Sequence, residues 1–220
     1  MLNLLFPKVC GGCRSPLLKL ESVICTQCRN NLPIACYHRT DNDAMKKAFY
    51  GRFEVQKATA LLQFQKKGIT QELLHNLKYR GQKNISSFLG KWLGAELSEA
   101  LEYQSIDLVI PVPLHKQKLK KRGYNQVTGF GEEIAAALDI PYRDDILLKV
   151  SKTRSQVFKK RGTRFDGSQI FTLQKPESIA NTHILLVDDI VTTGATLENC
   201  AAQLLKADNV SISIATMAIA

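Results

Sequence analysis

Acidic residues and long apolar runs are both scarce in this chain. The longest stretch free of Asp, Glu, Lys and Arg is Asn209–Ala220, while a membrane-crossing helix needs about 20 apolar residues. No transmembrane span is therefore expected. The apolar opening 1–7 is too short for a signal peptide, and Lys8 follows it without a small-residue cleavage site. The chain reads as cytoplasmic on that count. Internal repeats and low-complexity tracts are also missing. With 45% hydrophobic and 23% charged residues, the composition is that of an ordinary globular protein and excludes a largely disordered one. Its 220 residues suit one mid-sized domain plus a small appendage.

The shortage of acids has a direction. Thirty Lys and Arg stand against twenty Asp and Glu, a net +10, which points to an anionic partner such as phosphate, nucleotide or nucleic acid. No acid occurs between Pro111 and Gly131, where Lys116, Lys118, Lys120, Lys121 and Arg122 cluster. None occurs between Ile146 and Phe165 either, where Lys149, Lys152, Arg154, Lys159, Lys160, Arg161 and Arg164 fall.

Five of the six cysteines precede residue 37. Cys10-Gly-Gly-Cys13 and Cys25-Thr-Gln-Cys28 form two C-x2-C pairs, a spacing that lets two tight turns close a four-thiolate tetrahedral Zn²⁺ site. Such a site has no open position, so the metal is expected to be structural. Two disulfides would need an export signal that the sequence does not carry. A redox pair would sit beside a βαβ pattern, which begins only later. Cys36 is expected to be a spare thiol and Cys200 a core residue. His38 and His75 have no partner at ligand spacing.

Three segments follow: a zinc ribbon over 1–38, a connector over 39–57 and a larger domain over 58–220. Ala58–Gln65 has strand composition, and Ile69, Leu73, Leu74 and Leu77 repeat at helical spacing up to a Gly81 stop. A helix is predicted over 84–102. From Ile106 strand and helix alternate: strand 106–112, a polar loop to Gly123, helix 124–138, strand 146–150, strand 182–187, helix 196–206 and strand 210–217. This pattern predicts an α/β fold with a parallel sheet flanked by helices.

Ile184–Thr196 reads I-L-L-V-D-D-I-V-T-T-G-A-T. An apolar strand leads to two adjacent acids, then to a small-residue turn that opens a helix. Backbone N–H groups and Thr hydroxyls of Thr192, Thr193, Gly194, Ala195 and Thr196 can surround a phosphate, which the helix dipole also favours. Asp188 and Asp189 suit sugar hydroxyls or a hydrated Mg²⁺. A ribose 5-phosphate satisfies both halves.

This block resembles the ribose-phosphate signature of type I phosphoribosyltransferases. The wider set is similar to the ComF/GntX family of competence-protein-F-like proteins. That set comprises the cysteine ribbon, Lys78-Tyr-Arg-Gly81, Pro111-Val-Pro113, Lys121-Arg-Gly-Tyr-Asn-Gln126, Thr153-x-x-Gln156 and the signature. One departure stands out: the family's R-x-x-N continuation lacks its Asn, because Phe165, Asp166 and Gly167 follow Arg164.

The resemblance implies a type I phosphoribosyltransferase-like sheet with an N-terminal zinc ribbon, binding phosphoribosyl pyrophosphate with Mg²⁺. Asp188 and Asp189 would serve the reacting ribose. Residues 192–196 would hold its 5-phosphate. Lys116, Lys121 and Arg122, within the loop 114–122, would hold the diphosphate, and 151–164 would form a hood. It also implies a place in natural transformation, with a DNA-uptake helicase or other competence proteins as partners. Three readings follow. One is a transferase in DNA uptake acting on an unknown acceptor. Another is a non-catalytic adaptor that keeps the pocket as a sensor and binds single-stranded DNA, with Tyr124 and Phe158 as stacking surfaces. The third is a nucleotide-salvage transferase with a zinc appendage.

Overall fold

Short runs of aliphatic and β-branched residues build the sheet, and helices with one apolar face cover it. The computed structural model describes residues 7–35, 37–39, 44–150 and 170–220. Cys36 and the segment 151–169, which holds the expected hood, Thr153–Gln156 and Phe158, lie outside the described residues.

In chain order the helices and strands are α1 (Thr26–Asn30), α2 (Ala44–Lys47), β1 (Ala58–Gln63), α3 (Ile69–Tyr79), α4 (Asn84–Ser98), β2 (Leu108–Pro111), α5 (Lys116–Arg122), α6 (Thr128–Leu138), β3 (Leu147–Lys149), β4 (Phe171–Leu173), β5 (His183–Val191), α7 (Ala195–Leu204) and β6 (Ser211–Ile219). β1, β6, β5 and β2 form, in that order, a four-stranded sheet that is parallel throughout. Parallel strands need covered crossovers, which is why both faces are packed.

Strand alternation sorts the core into two layers. Leu185 and Val187 of β5 face a layer made by Leu73, Leu77, Leu89, Leu93, Phe130 and Ile134 of α3, α4 and α6. Ile184 and Leu186 face Leu197, Cys200 and Leu204 of α7, together with Phe171, Met45 and Phe49. Each aliphatic side chain so buried contributes roughly 1.5–3 kcal/mol. Cys200 is fully buried, as its helical register predicts.

The cysteine segment packs on the first layer. Cys10 and Cys28 belong to its core, and Asn76 Nδ2 of α3 donates to the Gly11 carbonyl at 2.7 Å. Residues 33–35 then run antiparallel to β1 through an Ile34–Leu62 bridge. Hydrogen bonds from Ala35 N to Leu61 O (2.9 Å) and from Gln63 N to Pro33 O (2.7 Å) occupy an edge that would otherwise be open.

Three elements differ from the sequence pattern. Residues 116–122 form a helix where a polar loop was expected. His115 Nδ1 caps it by accepting from Gln117 N at 3.2 Å, and Gly123 ends it in the left-handed conformation at φ 80°. β3 does not join the main sheet but pairs antiparallel with β4, a three-residue strand too short to show a period. β5 does not stop at Val187 but continues through the acids to Val191.

α4 and α6 approach closely because α4 presents Gly90 at their crossing. A Cβ there would lie 2.6 Å from the Phe130 carbonyl oxygen and 2.8 Å from its Cα, so only a hydrogen fits. Replacing Gly90→Leu should push the helices apart and cost roughly 1–3 kcal/mol. Urea unfolding should report this as a lower midpoint at unchanged slope.

Candidate functional site

The four cysteines of the two C-x2-C turns converge. The Sγ atoms of Cys10, Cys13, Cys25 and Cys28 all lie within 4.8 Å of one another, and those of Cys13 and Cys25 are 3.7 Å apart. Four thiolates at about 2.3 Å from a tetrahedral zinc would be about 3.8 Å from each other, so the donor set fits a metal of that kind. A disulfide would need about 2.05 Å. Backbone N–H groups already point at the sulfurs: Gly12 N and Cys25 N donate to Cys10 Sγ at 3.3 and 3.2 Å, and Cys28 N donates to Cys25 Sγ at 3.4 Å. His38 is elsewhere, its side chain buried between Thr59 Oγ1 (3.0 Å) and Glu96 Oε2 (2.8 Å).

At the C-terminal edge of the sheet, Asp188 and Asp189 are both buried. Adjacent strand positions face opposite ways, and the acids separate accordingly. Asp189 turns toward α3 and α6. Its Oδ1 accepts from Lys78 Nζ at 2.9 Å and its Oδ2 from Gln126 Nε2 at 2.7 Å. Gln126 in turn accepts at Oε1 from the Arg122 guanidinium. Asp188 lies on the other face, on the side of Lys149 and Cys200. Its Oδ1 accepts the Asp189 N–H at 2.8 Å. Burial, and then the neighbouring Asp189 charge, push the Asp188 carboxyl up to about 8. The two motifs Lys78–Gly81 and Lys121–Gln126, 40 residues apart in sequence, thus meet at one carboxylate. Asn125 adds a bond from Nδ2 to the Val112 carbonyl at 3.0 Å, closing the segment back onto the end of β2.

The turn 192–196 follows directly. Thr192, Thr193, Ala195 and Thr196 are exposed and Gly194 is buried. Gly194 adopts φ 74°, and a Cβ on it would lie 2.8 Å from a Phe49 ring carbon. Glycine is therefore required there on both conformational and steric grounds. The first-turn N–H groups of α7 have no partner within the helix. Arg52, from the segment between α2 and β1, donates to the Thr193 carbonyl at 2.6 Å and to Glu198 Oε2 at 3.1 Å. Sequence reasoning assigned no role to Phe49, Arg52, Lys78, Gln126 or Lys149. Only the two K-x-x-G and K-R-x-x-x-Q motifs hinted at the middle pair.

Because 116–122 is helical, its cations divide between two faces. Lys118, Lys121 and Arg122 line a cavity of about 400 Å³ with Lys78, Tyr79, Gly81 and Tyr124. Lys116 and Lys120 do not line it. Among the described residues no acid lines it either, and Arg122 lies 5.8 Å from the Tyr79 ring centroid. Tyr124 is half-buried, donates its hydroxyl to the Leu77 carbonyl and carries Lys83 Nζ 4.8 Å over its ring.

Known proteins resemble this chain over most of its length. The family described as phosphoribosyl transferase domain matches residues 128–219, which includes the acid pair and the turn. The chain is 28% identical over 199 residues to competence protein ComFC of Bacillus subtilis, covering 90% of this chain and 78% of that one. It is 29% identical over 140 residues to competence protein F of Haemophilus influenzae, covering 61% of each. It therefore spans about three fifths of the latter. Among solved structures, adenine phosphoribosyltransferase from Saccharomyces cerevisiae aligns at a TM-score of 0.39 and 18% identity, over 67% of this chain and 74% of that one. A glutamine phosphoribosylpyrophosphate amidotransferase from B. subtilis aligns at 0.41 and 19%, over 64% of this chain and 30% of that one. The family match over residues 128–219 makes this a phosphoribosyltransferase-type parallel sheet flanked by helices, preceded by a four-cysteine cluster.

The raised Asp188 carboxyl makes a signed prediction. Between its unfolded value near 4 and its folded value of about 8, the folded chain holds a proton that the unfolded chain has released. That contribution is fully present below the unfolded value and is lost as pH rises through the folded one. Asp188→Asn should therefore gain stability on the parent at about 1.4 kcal/mol per pH unit across this window. Denaturant unfolding at a series of pH values, without divalent cations, measures that slope.

Proposed function

We propose that this chain, a homologue of the ComF-type competence proteins with a phosphoribosyltransferase-type domain, binds phosphoribosyl pyrophosphate with Mg²⁺ and transfers its phosphoribosyl group to an acceptor. The observation that carries this reading is the meeting of Lys78 and Gln126 on the Asp189 carboxylate, between the turn 192–196 and a cavity lined by cations. One end of the ligand would sit on each side of the acid pair.

In this reading Thr192–Thr196 hold the 5-phosphate on the N–H groups that open α7, and Gly194 lets the backbone come close. Asp188 and Asp189 take the ribose hydroxyls and Mg²⁺. Lys121 and Arg122, joined by Lys118 and Lys78, take the diphosphate. Lys116 lies off that face of α5, so its contact would have to come from outside the cavity. Bound Mg²⁺ would supply neutralising charge on the diphosphate oxygens. Departure of diphosphate leaves positive charge at the ribose C1, so the reaction requires orientation and charge stabilisation rather than a protein nucleophile. Lys78 has a further role: its ammonium, paired with Asp189, lies within reach of the cavity and can follow the ligand charge.

The four cysteines would hold a structural Zn²⁺ that crosslinks the two turns beneath α3. Kinship with competence proteins supports a place in DNA uptake, with a helicase or other competence proteins as partners, in the cytoplasm. Among the described residues no helix is long and apolar enough to cross a membrane.

Calorimetric titration of phosphoribosyl pyrophosphate with Mg²⁺ tests the pocket. Binding should be seen below about 1 mM and should vanish in Asp188→Asn/Asp189→Asn, and silence in the parent chain would overturn the reading. Lys121→Ala should weaken binding about 10–100-fold, the loss of one charge-assisted contact, whereas Lys116→Ala should change it by less than about threefold. For the metal, elemental analysis should find one zinc per chain, and Cys25→Ser should abolish it and lower the melting temperature.

A further inference from the structure

A second cavity, of about 600 Å³, opens on the other flank of Lys78 and Tyr79. It shares those two residues with the cationic cavity and otherwise has its own walls. Phe64 follows β1, Ile190 belongs to β5, and Leu74 and His75 come from α3, so the cavity sits at the same C-terminal sheet edge as the acid pair. Phe64, Leu74 and Ile190 give it an apolar floor at the fringe of the first core layer. His75 and Tyr79 form a ring-lined flank, with centroids 5.1 Å apart. Lys66, Lys67 and Lys78 form the rim, and among the described residues no carboxylate lines it.

We infer that this cavity is the acceptor subsite and that it takes a planar nitrogen heterocycle carrying a ring carboxylate; the inference rests on the transfer reading above. Three features point to that ligand. The volume suits a small molecule. An apolar floor beside two aromatic rings suits a flat ring that can stack. The exposed Lys66 and Lys67 ammonium groups on the rim, beside a Lys78 that is shared with Asp189, suit an anion, and disfavour a purine or pyrimidine base with no charge.

The position also matches the chemistry. Displacement at C1 needs the acceptor next to the donor's reacting carbon, and the two cavities adjoin through Lys78 and Tyr79, which line both. The ring nitrogen's lone pair forms the new N–C1 bond while the C1–O bond to diphosphate breaks. Diphosphate leaves with that electron pair, and a ring N–H proton, where the acceptor has one, leaves with it.

The test titrates pyridine-3-carboxylate and 6-carboxyuracil into the full chain, against adenine and uracil, with and without phosphoribosyl pyrophosphate and Mg²⁺. Ligand-observed NMR reads each affinity. The carboxylated rings should bind at least about tenfold tighter than the uncharged ones. Lys66→Glu/Lys67→Glu should lose at least about tenfold of that affinity while donor binding stays constant. Both substituted side chains are on the surface, and Lys66→Ala/Lys67→Ala provides a milder version with the same direction. Uncharged bases binding as tightly, or carboxylate binding indifferent to the lysines, would overturn the assignment. Absence of donor binding alone would sink the transfer reading, since the donor-free titrations read the cavity's charge selectivity separately.

Discussion

A carboxylate taken out of water must be paired, and Asp189 is the buried carboxylate on which the site is built. Its two oxygens receive one bond each from Lys78 and Gln126, which ties the ends of α3 and of the α5–α6 connection to the edge of the central strand. Removing either partner would leave a buried charge half-satisfied, a cost of several kcal/mol for the worst cases. That cost explains why two segments with little in common come together at this point. The Arg122–Gln126 bond extends the same network to the cationic face of α5.

Asp188 answers the same problem differently. With no cation bonded to it among the described residues, it is held in the protonated range by burial and by its neighbour's charge. Two adjacent acids thus occupy two protonation regimes because strand geometry sends them to opposite faces. The turn beyond them has support of its own. Phe49 fills the space under Gly194, and Arg52 holds the Thr193 carbonyl, so residues read from sequence as a connector without clear periodicity pack against the turn 192–196.

Legibility followed the length and regularity of the pattern. The strands around Val109, Leu186 and Ile214 were readable because buried parallel strands are continuous apolar runs. The helices carrying Leu73, Leu77, Phe130 and Ile134 were readable because a 3.6-residue period repeats in each. β4 was not, because Phe171-Thr-Leu173 is too short to hold a period. α5 was read as a loop because its residues are nearly all polar: Leu119 is the only apolar residue in it, so there is no stripe to detect. The helix rests instead on strong helix formers between a His115 cap and a Gly123 stop.

The sequence alone determined the four-thiolate cluster, the acid pair and the small-residue turn, because each is a local spacing whose chemistry needs no distant partner. Tertiary structure decided the rest. It split Asp188 from Asp189, selected Lys118, Lys121 and Arg122 from five neighbouring cations, and brought Lys78, Gln126, Phe49 and Arg52 to the site. Those choices depend on which face of a strand or helix meets which neighbour, and packing between segments far apart in the chain sets that, as no local motif can.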